Sequence, residues 1–201
     1  VCFIAFIIDS YLINAVLLKV FAKVNPIKFF KKILPAQIVA FSTQSSAGTL
    51  PVATEILTDK IGVSGKVANV TTPLGTTIGM PGCAGIWPIL VSLYGIYGLG
   101  INFSLTDYIT LVVVALFVSS GTAGVPGTAT VTTASVLTVM GLPLEFIVLT
   151  IPISALADTG RTATNITGAM VSATIVARQE DSLDDEIFEK EDEEENKAVT
   201  A

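Results

Sequence analysis

Histidine is absent from this 201-residue chain, which removes the usual general base of serine and cysteine hydrolases, zincin-type metal sites and imidazole proton relays. Charge is scarce too: Asp, Glu, Lys and Arg make up 14% of the residues, against roughly 25% in soluble domains. Only two cysteines occur, Cys2 and Cys83. They lie far apart in apolar surroundings, so neither a disulfide framework nor a paired-cysteine redox or zinc motif is indicated, and each reads as a small buried hydrophobe. No initiator methionine and no charged signal-peptide start precede the apolar run at Val1. The sequence therefore reads as a fragment, with scaffold helices expected upstream.

What is abundant is apolar surface: 51% of the residues are hydrophobic and the mean hydropathy is +0.73, values expected of a chain whose main solvent is lipid. The net charge of -6 misleads, because residues 180–201 hold eleven of the seventeen acids. It describes a tail rather than a binding surface.

Residues 1–21 are long enough to span a hydrocarbon core of roughly 30 Å as one transmembrane helix. Lys19, Lys23, Lys28, Lys31 and Lys32 follow, and residues 22–32 read as a basic cytoplasmic loop by the positive-inside bias. Residues 33–60 hold two short apolar stretches around Ser42 to Thr49, the pattern of a re-entrant helical hairpin buried in protein or lining a cavity. Residues 66–99 read as a transmembrane helix broken at Gly79-Met80-Pro81-Gly82, where proline removes a donor and glycine relaxes the helix. Trp87, Tyr94 and Tyr97 are placed toward a membrane interface. Residues 104–140 repeat the hairpin pattern around Ser119 to Thr128, and 143–178 form a terminal transmembrane helix. Residues 179–201 read as a solvated, disordered acidic tail on the cytoplasmic side. The fold class is an all-α membrane protein, whose two interrupted units resemble the repeats that form binding sites near the midplane of transporters.

Asp158, Arg161, Thr162 and Asn165 stand at helical spacings that put all four on one face of the terminal helix. Ionisable groups within a membrane helix are costly and face the bundle interior or a cavity. One reading is a structural ion pair that locks helix packing. The other is a binding stripe that offers an anion acceptor for an ammonium, donors for a carboxylate and, in Arg161, a bidentate fork for a side-chain carboxylate. At the hairpin tips, small Ser, Gly and Thr residues let backbone amides approach an anion or backbone carbonyls approach a cation.

Four segments, Phe41-Ser-Thr-Gln-Ser-Ser-Ala-Gly-Thr-Leu-Pro51, Pro73-Leu-Gly-Thr-Thr-Ile78, Gly121-Thr-Ala-Gly-Val-Pro-Gly127 and Asp158-Thr-Gly-Arg-Thr-Ala-Thr-Asn165, occur in the order found in the dicarboxylate/amino acid:cation symporter family. The chain resembles that family from Ala22 to Glu180. The resemblance implies a last scaffold-side helix, two re-entrant hairpins, a broken helix and a terminal binding helix. It implies symport of an amino acid across the cell membrane by elevator-type alternating access, in a multi-pass protein that is not an enzyme. It assigns substrate contacts to Ser46, Val125 and Gly127 at the tips, the ammonium to Asp158, the main part of the substrate to Thr162 and Asn165, and a side-chain carboxylate to Arg161. Aspartate or glutamate leads; cystine, other amino acids, amino-acid exchange and dicarboxylate carriage are the alternatives. Asp158 argues against a plain dicarboxylate, which lacks an ammonium. The implied partners are the substrate, membrane lipid and two further copies in a homotrimer of the full-length protein, with no nucleic acid and no cofactor beyond a coupling cation, sodium.

The departures from the family pattern concern that cation. Where the family reads Asn-Met-Asp-Gly-Thr, this chain reads Gly79-Met80-Pro81-Gly82-Cys83, and Ala169 replaces an acid one turn beyond Asn165. One site built in the family from backbone carbonyls survives, corresponding to Thr77, Ser119, Ser120 and Thr122. The stoichiometry is expected to differ: one sodium, exchange, or another ion. Gln44 replaces an arginine common in the first tip. An ion channel is the competing class, since channels also use re-entrant loops rich in glycine and serine. A membrane hydrolase with Ser45 or Ser46 as nucleophile has no histidine and no Ser-x-x-Lys arrangement to support it.

Overall fold

A computed structural model describes residues 1–78, 80–121 and 127–190. The expectations for Gly79, Thr122, Val125 and the end of the tail fall outside these residues. Among the described residues the chain is helical, apart from one isolated bridge between Val63 and Leu183.

Helix α1 (Cys2–Ala22) is continuous and contains two wider, π-helical turns, Ile8–Ile13 and Leu18–Ala22. Asn25 accepts hydrogen bonds from the amides of Ile27 and Lys28, and Pro26 takes the first helical position, a combination that starts a helix because proline has no amide to leave unpaired. Helix α2 therefore runs Pro26–Thr43. This corrects the basic loop expected at 22–32: Lys28, Lys31 and Lys32 lie on the first turns of α2, seven residues before the expected hairpin start.

Helix α2 ends at Gln44, in the left-handed conformation at φ 54°. Ser45 then caps α3 (Ser46–Ile56) by accepting from the Gly48 amide at 3.0 Å. A wider turn, Leu57–Ile61, extends α3, and the Lys32 ammonium at the base of α2 donates to the Lys60 carbonyl at 2.8 Å. The two arms are thus antiparallel, with the tip at Gln44-Ser45.

Helix α4 (Gly65–Thr77) gives way to extended backbone at Ile78. Helix α5 (81–98) restarts with the π-helical turn Pro81–Ile86 and continues as Trp87–Gly98. The second hairpin pairs α6 (Leu105–Ser120), opened by a reciprocal Ser104–Asp107 capping box, with α7 (Thr128–Val139). Helix α8 (Glu145–Gln179) is the axis of the fold, packing on α1, α2, α3, α4 and the 81–86 turn.

Two apolar clusters flank the centre of α8. One joins Leu18, Phe29, Ile33, Leu57, Ile61 and Phe188 to Ile166, Met170 and Ala173 of α8. The other joins Met80, Trp87, Val91, Ile96 and Leu137 to Phe146 and Ala157 of α8. The polar stripe occupies the length of α8 between them. Outside, large apolar side chains face outward: Ile4, Leu12 and Val16 on α1, Leu116 and Phe117 on α6, and Val148 and Ile151 on α8. Exposed apolar area of this extent is costly in water at roughly 25 cal/mol per Å² and neutral in lipid. Helix Cys2–Ala22 is long and apolar enough to cross a membrane.

The tail also departs from expectation. Residues 182–184 are stitched to 62–64, with the Asp184 amide donating to the Gly62 carbonyl at 2.8 Å and the Ser64 amide to the Ser182 carbonyl at 3.0 Å. Asp184 then caps a short helix α9 (Asp185–Glu189). Phe188 is 1% exposed, with the ammonium groups of Lys28 and Lys32 5.7 and 5.5 Å from its ring centre. Arg178 grips Asp185 through two hydrogen bonds and donates to the Ala22 carbonyl, and Lys28 pairs with Glu189 at 2.9 Å. The expected disorder from residue 179 therefore does not hold for 180–190. Like charge there is offset by Lys28, Lys32 and Arg178, and the burial of Phe188 supplies the apolar gain that a purely acidic segment lacks.

Candidate substrate site

Helix α8 carries Asp158, Arg161, Thr162 and Asn165 on one face within about two turns, and the 81–86 turn packs directly on them. A Cβ on Gly82 would stand 2.5 Å from the Arg161 carbonyl oxygen and 2.8 Å from its Cα, so only glycine permits this approach. The Gly82 amide donates to Asn165 Oδ1 at 2.9 Å, and Asn165 Nδ2 donates to the Cys83 sulfur at 3.1 Å. Asn165 thus spends its oxygen and one N–H on holding the broken helix, leaving one N–H for anything else. Thr132 of α7 donates to the Cys83 carbonyl at 3.1 Å, which fixes the second hairpin to the same turn.

Arg161 is buried, with 3% of its side chain exposed. Its Nη2 lies 3.1 Å from Asp158 Oδ1 and donates to the Ser154 carbonyl at 3.1 Å, while Nε donates to Asp158 at 3.3 Å. The guanidinium carbon lies over the Trp87 ring, 4.6 Å from its centre. Nη1 is buried and has no hydrogen-bond partner among the described residues. An unpartnered buried donor of this kind is expensive, and a carboxylate is the group that satisfies it best. Asp158 has 34% of its side chain exposed, so its pairing with Arg161 leaves it accessible.

The tip of the first hairpin is tied to the same helix: Gln44 Nε2 donates to the Ala155 carbonyl at 3.1 Å, one turn before Asp158. Ser46, the first residue of α3, is half-buried beside this anchor. Gly127 caps α7 at φ 85° with open space where a Cβ would be. Thr77 ends α4, which leads into the 81–86 turn, and Ser119 and Ser120 end α6, which packs against that turn. These helix C-termini present carbonyls with no intrahelical donor. Among the described residues no three His, Cys, Asp or Glu side chains converge as a metal site.

Ala169 packs against Gly75, where an added Cβ would meet the Ala169 Cβ at 2.9 Å. Helices α4 and α8 close together at the position where a carboxylate would need room. Trp87 is the residue that sequence reasoning misplaced. Expected at a membrane interface, it is 4% exposed and stacked on Arg161, whereas Tyr94 and Tyr97 are exposed. Its place one turn after the break, rather than at the helix end, was the available signal. On the opposite face of α8 an open groove of about 340 Å³, lined by Phe3, Phe6, Tyr11, Phe41 and Thr164 among others, contains none of the stripe residues.

The profile of the sodium:dicarboxylate symporter family matches residues 1–179. The chain belongs to this family. Similar proteins include an uncharacterized symporter of Haemophilus influenzae, 42% identical over 180 residues, or 86% of this chain and 41% of that protein. An L-cystine uptake protein, TcyP, of Bacillus cereus is 35% identical over 194 residues, covering 93% and 42%. TcyP of Shouchella clausii is 38% identical over 165 residues, covering 82% and 35%. The chain spans about two fifths of the length of these curated relatives. The family is one of membrane symporters, and membership gives the outward-facing apolar residues their solvent.

Proposed function

We propose that this chain forms the substrate-binding part of a secondary transporter that carries an amino acid with a side-chain carboxylate across the cell membrane, coupled to a cation. The observation that carries this reading is the Arg161 guanidinium, buried between Trp87 and Asp158 with Nη1 unpartnered among the described residues. A carboxylate on the substrate completes its hydrogen bonds, and the accessible oxygen of Asp158 accepts from the substrate ammonium. Thr162, the remaining N–H of Asn165 and the tip residues Ser46, Val125 and Gly127 serve the main-chain carboxylate. Sodium is assigned to the carbonyls of Thr77, Ser119 and Ser120 at helix ends, which carry negative partial charge, together with Thr122, which lies outside the described residues. Substrate crosses by movement of the hairpins and α8 together against the remainder of the full-length protein.

Aspartate and glutamate fit this arrangement. Cystine fits it equally, because its distal half carries a carboxylate, and the relatives named as cystine uptake proteins favour it. Radiolabelled aspartate and cystine uptake by the full-length parent in proteoliposomes, with sodium and proton gradients imposed separately, tests the reading. Accumulation above equilibrium that collapses with the driving gradient is expected. Passive equilibration alone would instead identify a channel.

A further inference from the structure

We infer that Trp87 is a positioning residue for substrate selection: by stacking on Arg161 it fixes the plane in which the guanidinium meets a distal carboxylate. The inference rests on the transport reading above and deepens it. Arg161 has three anchors, and they constrain different freedoms. Asp158 and the Ser154 carbonyl hold the Nε and Nη2 edge, which sets where the group sits. Neither stops it from rocking about that edge. The indole, whose ring the guanidinium carbon overlies at 4.6 Å, restrains that rocking, since a planar guanidinium favours lying parallel to an aromatic face.

Trp87 is itself immobile, because it belongs to the apolar cluster with Met80, Val91 and Phe146 and is almost wholly buried. The Gly82 backbone, pressed on the Arg161 backbone from the same element, keeps the indole and the guanidinium in register. A carboxylate binds the guanidinium edge best when coplanar with it, so the indole plane selects the carboxylate plane. Substrates without a distal carboxylate do not use that edge and are indifferent to the stack.

The test compares Trp87→Leu and Trp87→Phe in the full-length parent, by binding and uptake of aspartate, cystine and serine. Trp87→Leu should weaken whichever of aspartate and cystine the parent binds by roughly tenfold, the scale of a desolvated cation–π contact, while changing serine by less than twofold. Trp87→Phe, which keeps an aromatic face, should restore most of the loss. Where Trp87→Leu does not fold, Trp87→Met, which fills much of the volume without a ring, takes its place with the same expectation. Equal losses for all three substrates, or a loss in Trp87→Phe as large as in Trp87→Leu, would show Trp87 to be a packing residue and overturn the inference. A parent that binds none of the three would overturn the transport reading itself.

Discussion

Replacing Gly82 with alanine puts one methyl group between the broken helix and α8 at the residue that matters most for binding. The new carbon would lie 2.5 Å from the Arg161 carbonyl oxygen, 2.8 Å from its Cα and 3.0 Å from its carbonyl carbon, where ordinary contact requires about 3.4 Å or more. The obstacle is backbone, so no side chain can rotate away, and the 81–86 turn has to retreat by about 1 Å. Overpacking of this kind costs on the order of 1–3 kcal/mol. Retreat also stretches the 2.9 Å bond from the Gly82 amide to Asn165, adding about 1 kcal/mol. A total of roughly 2–4 kcal/mol, shared between stability and binding, predicts a lowered thermal midpoint and at least tenfold weaker substrate binding. Both are measurable on the purified full-length protein by a thermal-shift assay and titration calorimetry. Gly85→Ala is the control, because no described residue beyond its own turn and chain neighbours lies within 4 Å of a Cβ there, and it should change neither quantity. Gly82→Ala with parental affinity and midpoint would refute the close approach of the two elements.

Four other outcomes follow from the same geometry. Arg161→Cys should weaken substrates with a side-chain carboxylate at least tenfold more than small neutral amino acids, measured by competition binding; equal losses contradict its role. Phe188→Ala should cost about 3 kcal/mol as a large buried ring lost and release 180–190, seen as faster amide hydrogen exchange there than in the core of α8. Hydrogen bonds from Arg178 hold the Asp185 carboxyl below the ordinary carboxylate range. This contribution to the tail contact is complete above an ordinary pKa of about 3.9 and is lost as pH falls through the lowered value; exchange in 180–190 should stay slow at pH 5 and rise only in stronger acid. Finally, substrate affinity should depend on sodium with a logarithmic slope of one or less. Ala169→Asp, pressed against Gly75, should destabilise the protein by about 1–3 kcal/mol rather than steepen that slope, and a slope of two to three in the parent would contradict the reduced cation count.

The parts of this fold that sequence reveals are those fixed by local geometry. Helical spacing alone puts Asp158, Arg161, Thr162 and Asn165 on one face, because side-chain direction repeats every 3.6 residues. The break before Pro81 is legible for a similar reason: proline and glycine act on the backbone where they stand. The misreadings share a different origin. Lys28, Lys31 and Lys32 suggested a loop because charge density was weighed above the Asn25-Pro26 helix start. The acidic tail suggested disorder because two of its three cationic partners, Lys28 and Lys32, lie 155 or more residues away along the chain. Trp87 carries the same apolar signature whether it meets lipid headgroups or a guanidinium, so hydropathy could not tell the two environments apart.

The stitching of residues 180–190 onto the base of the first hairpin bears on how the protein is made. Lys32 donates to the carbonyls of Lys60, Ile187 and Lys190, so its ammonium finds two of these acceptors only when the ribosome has nearly finished the segment. Domains generally form from the N-terminus during synthesis, but these contacts at the hairpin base must wait for residues 185–190 to arrive. A fusion partner or stop codon placed directly after Gln179 would leave that base permanently open, whereas one placed beyond Lys190 preserves every contact described.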